Sequence, residues 1–242
     1  SAKQQFYKLE NSVEIFEKLQ KDKKQSLKKM YDISVELSNI RRKGAVEFEA
    51  LMKKELSELG MDGAEFKVVF VDLPQLDECE KFITATGLDK AEFYLSANAG
   101  QPLKPLAKII SGGEMSRFML ALKVVSSRID DIPTMIFDEI DTGISGKIGQ
   151  EVAKKLAVIS RAHQVLCVTH LTQIAAMADN HYLITKSNQN NETETNVELL
   201  ENEAVIEEIS RLSGAKDISE KAFENADFMK KWSNEYKLSI KI

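Results

Sequence analysis

Three short stretches of this sequence combine residue types that do phosphate chemistry. Ser111-Gly112-Gly113-Glu114 opens a helical pattern. Two glycines at a helix start let a ligand approach the backbone, and the first N–H groups and the helix dipole there suit a phosphate. An ordinary glycine turn with a serine N-cap reads equally well from this stretch alone. The apolar run Thr134-Met135-Ile136-Phe137 ends in Asp138-Glu139. At the end of a strand, two adjacent acids can face one site, the first holding a magnesium ion through water and the second deprotonating an attacking water. Two solvated acids at a strand end are the plain alternative. His170 closes a second apolar run, Gln164 to Thr169. His163, Cys167 and His170 lie close enough to suggest zinc. A buried strand would, however, point positions 167 and 170 to opposite faces, and no fourth ligand stands out.

Positioning these groups requires an alternation of strands and helices. The spacing predicts helices from about Glu114 to Arg128, Gly146 to Ser160 and Leu171 to Ala178. It predicts buried parallel strands at 134–137 and 164–169 and a further strand over His181 to Thr185. Lys186 to Thr195 reads as a polar loop before a strand over Asn196 to Leu200. Helices beginning near Ala204 and Ser219 close the chain. This pattern predicts an α/β lobe with ligands at the carboxyl ends of its strands. Upstream, Phe66 to Val71 and Glu92 to Ser96 read as strands, and Asn98 to Pro105 as a loop.

The first 58 residues have a different texture, with no proline and the single glycine Gly44. Apolar residues recur at spacings of three and four: Phe6, Leu9, Val13, Phe16, Leu27, Met30, Leu37, Phe48 and Leu51. Gln20, Lys23, Ser34, Arg41, Gly44 and Glu55 interrupt the same register. This predicts one long helix, or two, with a narrow apolar stripe that wants a partner helix. Gly60 is the expected C-cap. The expected organisation is an arm over 1–58 and a lobe over 59–242.

The motifs occur in the order found in the C-terminal half of an ABC-type ATPase. There the signature motif, Walker B, D-loop and H-loop follow one another. The chain most resembles the RecN family, bacterial double-strand-break repair ATPases related to SMC proteins. SANAGQPLKPLAKIISGGEMSRFMLALK (Ser96 to Lys123), FDEIDTGISG (Phe137 to Gly146), VTHLTQIAAMAD (Val168 to Asp179) and RLSGAKDISEKA (Arg211 to Ala222) carry the resemblance. It covers about residues 60 to 226, and the preceding helix resembles the returning strand of that family's coiled-coil arm. The resemblance implies the C-terminal lobe of an ABC-type P-loop ATPase head. It implies that Ser111, Gly112 and Gly113, with Glu114 beside them, meet the γ-phosphate of ATP held by an opposite subunit. Asp138 would serve magnesium, Glu139 would be the general base, His170 would sense the γ-phosphate, and Asp141 would lie at the dimer interface. ATP and magnesium are the implied cofactors. DNA, the N-terminal half of the same protein and a second ATP-bound head are the implied partners, in the cytoplasm at the nucleoid.

A phosphate cradle in cis needs Gly-x-x-x-x-Gly-Lys-Ser/Thr. Only Gly146 precedes a lysine, Lys147 is followed by Ile148, and Asp stands at position 141. The sequence therefore holds no Walker A loop, and the chain is expected to start inside the arm and to be inactive alone. Another SMC-like repair ATPase, or a non-enzymatic module for dimerisation or DNA bridging, are the alternative readings.

Composition is compatible with this. The chain has 242 residues, 43% hydrophobic and 29% charged, with two cysteines and a net charge of −5. That is enough apolar material for a core, too little cysteine for a disulfide framework, and no apolar run long enough to span a membrane. Charge divides unevenly, with 13 basic and 10 acidic residues over 1–58 against 20 and 28 over the remainder. Lys18, Lys21, Lys23, Lys24, Lys28 and Lys29 stand against Asp22 alone. They read either as a solvated helix face or as a contact for DNA phosphate without sequence readout.

Overall fold

Helix α1 (Ala2–Glu58) runs unbroken, as the proline-free, periodic sequence dictates. The computed structural model describes residues 2–108, 112–126, 132–189, 192–214 and 219–240. Packing groups them into two compact units, 1–50 with 66–95, and 51–65 with 96–242. The arm and lobe expected above follow sequence texture. The compact units follow contacts, so α1 contributes to both.

In the first unit, strands β1 (Glu65–Phe70) and β2 (Ala91–Ser96) are hydrogen-bonded neighbours. Phe48 of α1 meets Phe66 and Phe93 with ring centroids 5.5 and 5.9 Å away. The loop at Gly87 lies against α1, and a Cβ there would meet Leu37 at 3.4 Å. Ser34 and Ser38 are buried, which keeps the helix surface low at this approach. Arg41 donates to the Thr86 carbonyl (2.9 Å) and to Asp89 (3.0 Å).

The second unit begins with the last turns of α1, where Met52, Leu56 and Leu59 are buried. Gly60 has φ +75°, as a C-terminal cap requires, and a Cβ on it would stand 2.6 Å from Ile148 Cδ1. The glycine is thus needed for both conformation and contact. Lys155 holds Glu55 at 2.6 Å and Glu58 at 2.5 Å.

A short strand β3 (Lys104–Pro105) precedes α2 (Gly112–Ser126). Strands β4 (Thr134–Phe137) and β5 (Gln164–Cys167) pair in parallel across α3 (Gly146–Ile159), with Phe137 opposite Cys167. The pairing places the two strand ends side by side. Only one face of the pair is covered. Met135 and Phe137 are buried, but Ile136 is 72% exposed and Leu166 and Val168 are also exposed. The expectation of fully buried strands is corrected here. A continuous apolar run gives both faces apolar side chains, yet the described residues cover one face alone.

After α4 (Thr172–Met177) the chain forms a long antiparallel hairpin, β6 (His181–Gln189) and β7 (Glu192–Leu200), paired in register from His181 opposite Leu200 to Gln189 opposite Glu192. The polar loop expected over 186–195 is therefore mostly strand. Polar composition hid it, because a two-stranded ribbon needs backbone pairing and not an apolar face at every position. Leu183 and Leu200 on one face join a cluster with Ala175, Ala176, Val205, Ile209 and Ala226. That cluster is built with α5 (Glu203–Leu212) and α6 (Glu220–Ser239), the latter capped by Ser219 accepting from the Ala222 N–H at 3.3 Å. Among the described helices none is long and apolar enough to cross a membrane.

Candidate functional site

The site is built where α2 starts and where β4 and β5 end. Ser111 lies outside the described residues, and Gly112 is the first residue of α2. Asp138 and Glu139 follow β4 directly. Glu139 has φ +55°, a left-handed conformation unusual for a side-chain-bearing residue. Its N–H donates to Asp138 Oδ1 at 3.0 Å, and the turn closes through the Thr142 N–H to the Glu139 carbonyl at 3.1 Å. This conformation lays the Glu139 carboxylate over Gly112, so that a Cβ on Gly112 would stand 2.5 Å from Oε2. The signature glycine and the expected base thus adjoin.

Two residues of α2 fix this meeting. Ser116 Oγ donates to the Asp138 carbonyl at 2.9 Å. Arg117, only 7% exposed, donates to the Thr142 carbonyl at 2.9 Å. Burial pulls the Arg117 guanidinium down from its ordinary value, against the opposing charge of Glu114. Gly113 lets α2 seat on the same turn, since its Cβ would be 2.9 Å from the Thr142 carbonyl oxygen.

Asp141 ties the turn to the end of β5. Its Oδ2 accepts from Thr169 Oγ1 (2.5 Å) and the His170 N–H (2.8 Å), and lies 3.1 Å from His170 Nδ1. Burial pushes this carboxyl up. The hydrogen bonds of Thr169 and His170 and the His170 ring outweigh burial and hold it below its usual value. The Asp141 side chain is 4% exposed, whereas that of His170 is 73% exposed. The carboxylate implied to face a partner is thus engaged inside the chain, and Thr142 and Gly143 present the turn to solvent.

The zinc grouping finds no support in this geometry. His163 Nδ1 lies 2.6 Å from the Ile132 carbonyl, and His170 Nδ1 faces Asp141. Burial, with Asp141 and Asp138 adding to it, pushes the Cys167 thiol up to about 12.

Three contributors escaped the sequence reading: Ser116, Arg117 and Thr169. Ser116 and Arg117 stand one helical turn after the signature glycines, where a side chain can reach back over the helix start. Thr169 directly precedes His170. Those positions were the only available signal.

The six lysines belong to the first unit, and all are exposed. Lys23 pairs with Glu80 at 2.6 Å. Lys21, Lys24 and Lys28 line a groove with Gln75, Leu76 and Asp77.

No protein-family model matches the chain. Among curated proteins, it is 42% identical to the DNA repair protein RecN of Halalkalibacterium halodurans over 210 residues, 85% of this chain and 37% of that protein. It is 36% identical over 229 residues to the RecN of Bacillus subtilis, covering 88% and 40%. It is 39% identical over 212 residues to that of Treponema pallidum, covering 87% and 37%. The chain thus spans well under half the length of these relatives. Among solved structures, the Smc head domain with a coiled coil and joint from Pyrococcus yayanosii aligns with 22% identity and a TM-score of 0.49, covering 77% of this chain and 32% of that one. The Smc head domain with an extended coiled coil from Pyrococcus furiosus aligns with 19% identity and a TM-score of 0.43, covering 77% and 42%. The similarity extends over more than four-fifths of the chain, and by it the chain is related to the RecN proteins along a part of their length.

Proposed function

We propose that the chain supplies the signature, Walker B, D-loop and H-loop elements of an ATP-hydrolysing head in a DNA repair protein. The observation that carries this reading is the seating of the Glu139 carboxylate over Gly112, at the end of a strand whose parallel neighbour leads three residues on to His170. A phosphate reaching the N-terminus of α2 would meet free backbone N–H groups, the helix dipole and a carboxylate able to take a proton from water.

The residues fit the implied ligands. The glycine at 112 adds no side chain of its own at the helix start, where only the movable end of Glu139 lies, and Asp138 is exposed at the strand end. Asp138 would hold magnesium, which when bound neutralises phosphate charge. Glu139 orients and deprotonates the attacking water. Gly112 and Gly113, with Ser111 before them, receive the γ-phosphate of a nucleotide held by an opposite head. His170, exposed and steadied by Asp141, senses the γ-phosphate of the nucleotide on which Glu139 acts. Thr142 and Gly143 lie at the junction of two heads.

Without a Gly-x-x-x-x-Gly-Lys-Ser/Thr loop, the chain alone turns over no ATP. Mixing it with the segment of its own protein that carries that loop restores hydrolysis. Glu139→Gln then lowers turnover by about 10²- to 10⁴-fold, the usual contribution of a positioned base, and traps ATP-bound dimers. Turnover by this chain alone that Glu139→Gln abolishes, or a reconstituted head indifferent to that substitution, refutes the proposal.

A further inference from the structure

Three cations of the first unit form ion pairs among the described residues. Lys23 meets Glu80 at 2.6 Å, Lys67 meets Glu49 at 2.7 Å and Arg41 meets Asp89 at 3.0 Å. Lys21, Lys24 and Lys28 are set apart from the other exposed lysines of α1 by the groove they line. They stand three and four residues apart, and so share one face of α1. No ion pair forms at any of them among the described residues. All three line a groove of about 620 Å³ between α1 and the segment 75–77, with Leu27 and Leu76 in its walls and Asp77 the single acid.

The groove has two properties that a solvated helix face lacks. It is concave, and its wall is mainly apolar, made of the two leucines and the methylene stems of the lysines. Like charges at helical spacing repel one another. The arrangement therefore gains from an occupant that brings negative charge to the rim and an apolar group to the floor. A DNA duplex brings the charge, but on a convex phosphate surface with no apolar anchor. The size falls within the roughly 300–1,000 Å³ of ordinary ligand sites, room for a short segment with one or two anchoring side chains.

We infer that this groove docks an acidic peptide segment of a partner protein, with an apolar anchor residue against Leu27 and Leu76 and carboxylates at Lys21, Lys24 and Lys28. The inference stands apart from the nucleotide site, and it narrows the expected DNA contact of the lysine cluster by giving three of its members another use.

The test is fluorescence anisotropy of the whole 242-residue chain with a labelled peptide of sequence DDEFDLDED. Saturable binding is expected. Reversing Lys21, Lys24 and Lys28 together to glutamate weakens it by more than about tenfold, as loss of complementary charge predicts. Leu76→Asp weakens it comparably through the apolar wall, as does replacing the peptide's Phe and Leu by serine. Lys43→Glu, outside the groove and about 22 Å along α1 from Lys28, leaves binding within about twofold, since exposed charges beyond a Debye length are screened. Circular dichroism verifies that every variant keeps its helix. Binding indifferent to Leu76 and to the peptide's apolar residues marks a non-specific polyanion contact and overturns the proposal. So does absence of peptide binding alongside duplex DNA binding that responds to all the lysines alike.

Discussion

Replacing Asp141 by asparagine tests whether one buried carboxylate oxygen holds the two halves of the candidate site together. Oδ2 receives Thr169 Oγ1, the His170 N–H and the His170 ring at 2.5, 2.8 and 3.1 Å. Hydrogen bonds to a charged group contribute about 1.5–3 kcal/mol each, roughly twice a neutral pair. Asparagine keeps a neutral acceptor of the same shape, so half of the strength of two good bonds is lost, a destabilisation of about 1–3 kcal/mol. The pH dependence is the sharper readout. The folded pKa of Asp141 lies below its ordinary 3.8. Its ionised form therefore contributes stability that is fully present above the unfolded value and is lost as pH falls through the folded one. Urea unfolding of parent and variant at several pH values between 3 and 7 gives the difference directly, and other depressed acids such as Glu49 and Glu58 cancel in it. The gap should be widest above about pH 5 and narrow as pH falls below the ordinary 3.8 toward the folded value. A gap independent of pH, or none at all, refutes the role assigned to this carboxylate.

Gly113→Ala places a Cβ 2.9 Å from the Thr142 carbonyl oxygen and 3.0 Å from its Cβ, so α2 must lift from the turn. Thermal unfolding should register a loss of about 1–3 kcal/mol, and unchanged stability would show the contact to be soft. Gly112→Ala meets only the movable end of Glu139. Its stability should stay within about 1 kcal/mol while turnover of the reconstituted head falls, since a flexible carboxylate yields where backbone does not. Lys155→Met leaves Glu55 and Glu58 without the ammonium at 2.6 and 2.5 Å. A cost of about 2–4 kcal/mol in urea unfolding is expected for stranding half-buried acids, and a neutral result would argue that water replaces the lysine. With its thiol near 12, Cys167 carries a thiolate fraction of about 10⁻⁴ at pH 8. Iodoacetamide should label it about a thousandfold more slowly in the native chain than in urea, and comparable rates would contradict the half-buried, acid-flanked setting.

The residues that interrupt the apolar stripe of α1 show what periodicity does and does not reveal. Lys23, Ser34, Arg41 and Glu55 read as imperfections in a coiled-coil seam. In the structure Lys23 pairs with Glu80, Ser34 is buried, Arg41 holds the Thr86 carbonyl and Asp89, and Glu55 meets Lys155. Each of these four marks a place where α1 meets its own chain, while Val13, Phe16 and Met30 of the stripe are exposed. A hydrophobic pattern registers burial by apolar side chains and misses burial by serine or by paired charge. The extension of the 181–200 hairpin through the stretch read as a loop was missed for a related reason. Its ladder is backbone pairing, and a sequence such as Lys186 to Thr195 carries no alternation to betray it.

The chemistry-bearing residues were legible because strand ends concentrate them: an apolar run followed by Asp138-Glu139 announces both the strand and its site. The direction of Asp141 was not legible. Two residues beyond Glu139 the chain has already turned, and which way a carboxylate points after a turn depends on the donors waiting for it. Here they come from the end of β5, brought alongside by the parallel register that sets Phe137 opposite Cys167. Three contacts on one oxygen mean that the turn after β4 and the backbone at His170 cannot move apart without exposing or orphaning buried polar groups. On the opposite side Ser116 and Arg117 bind the same turn to α2 through its carbonyls. The glycine start of α2, the paired acids and the histidine are therefore not three sites that happen to adjoin. They are held as one unit by groups that touch no reacting atom, and the alignment of Glu139 with Gly112 is a property of that whole hydrogen-bonded turn.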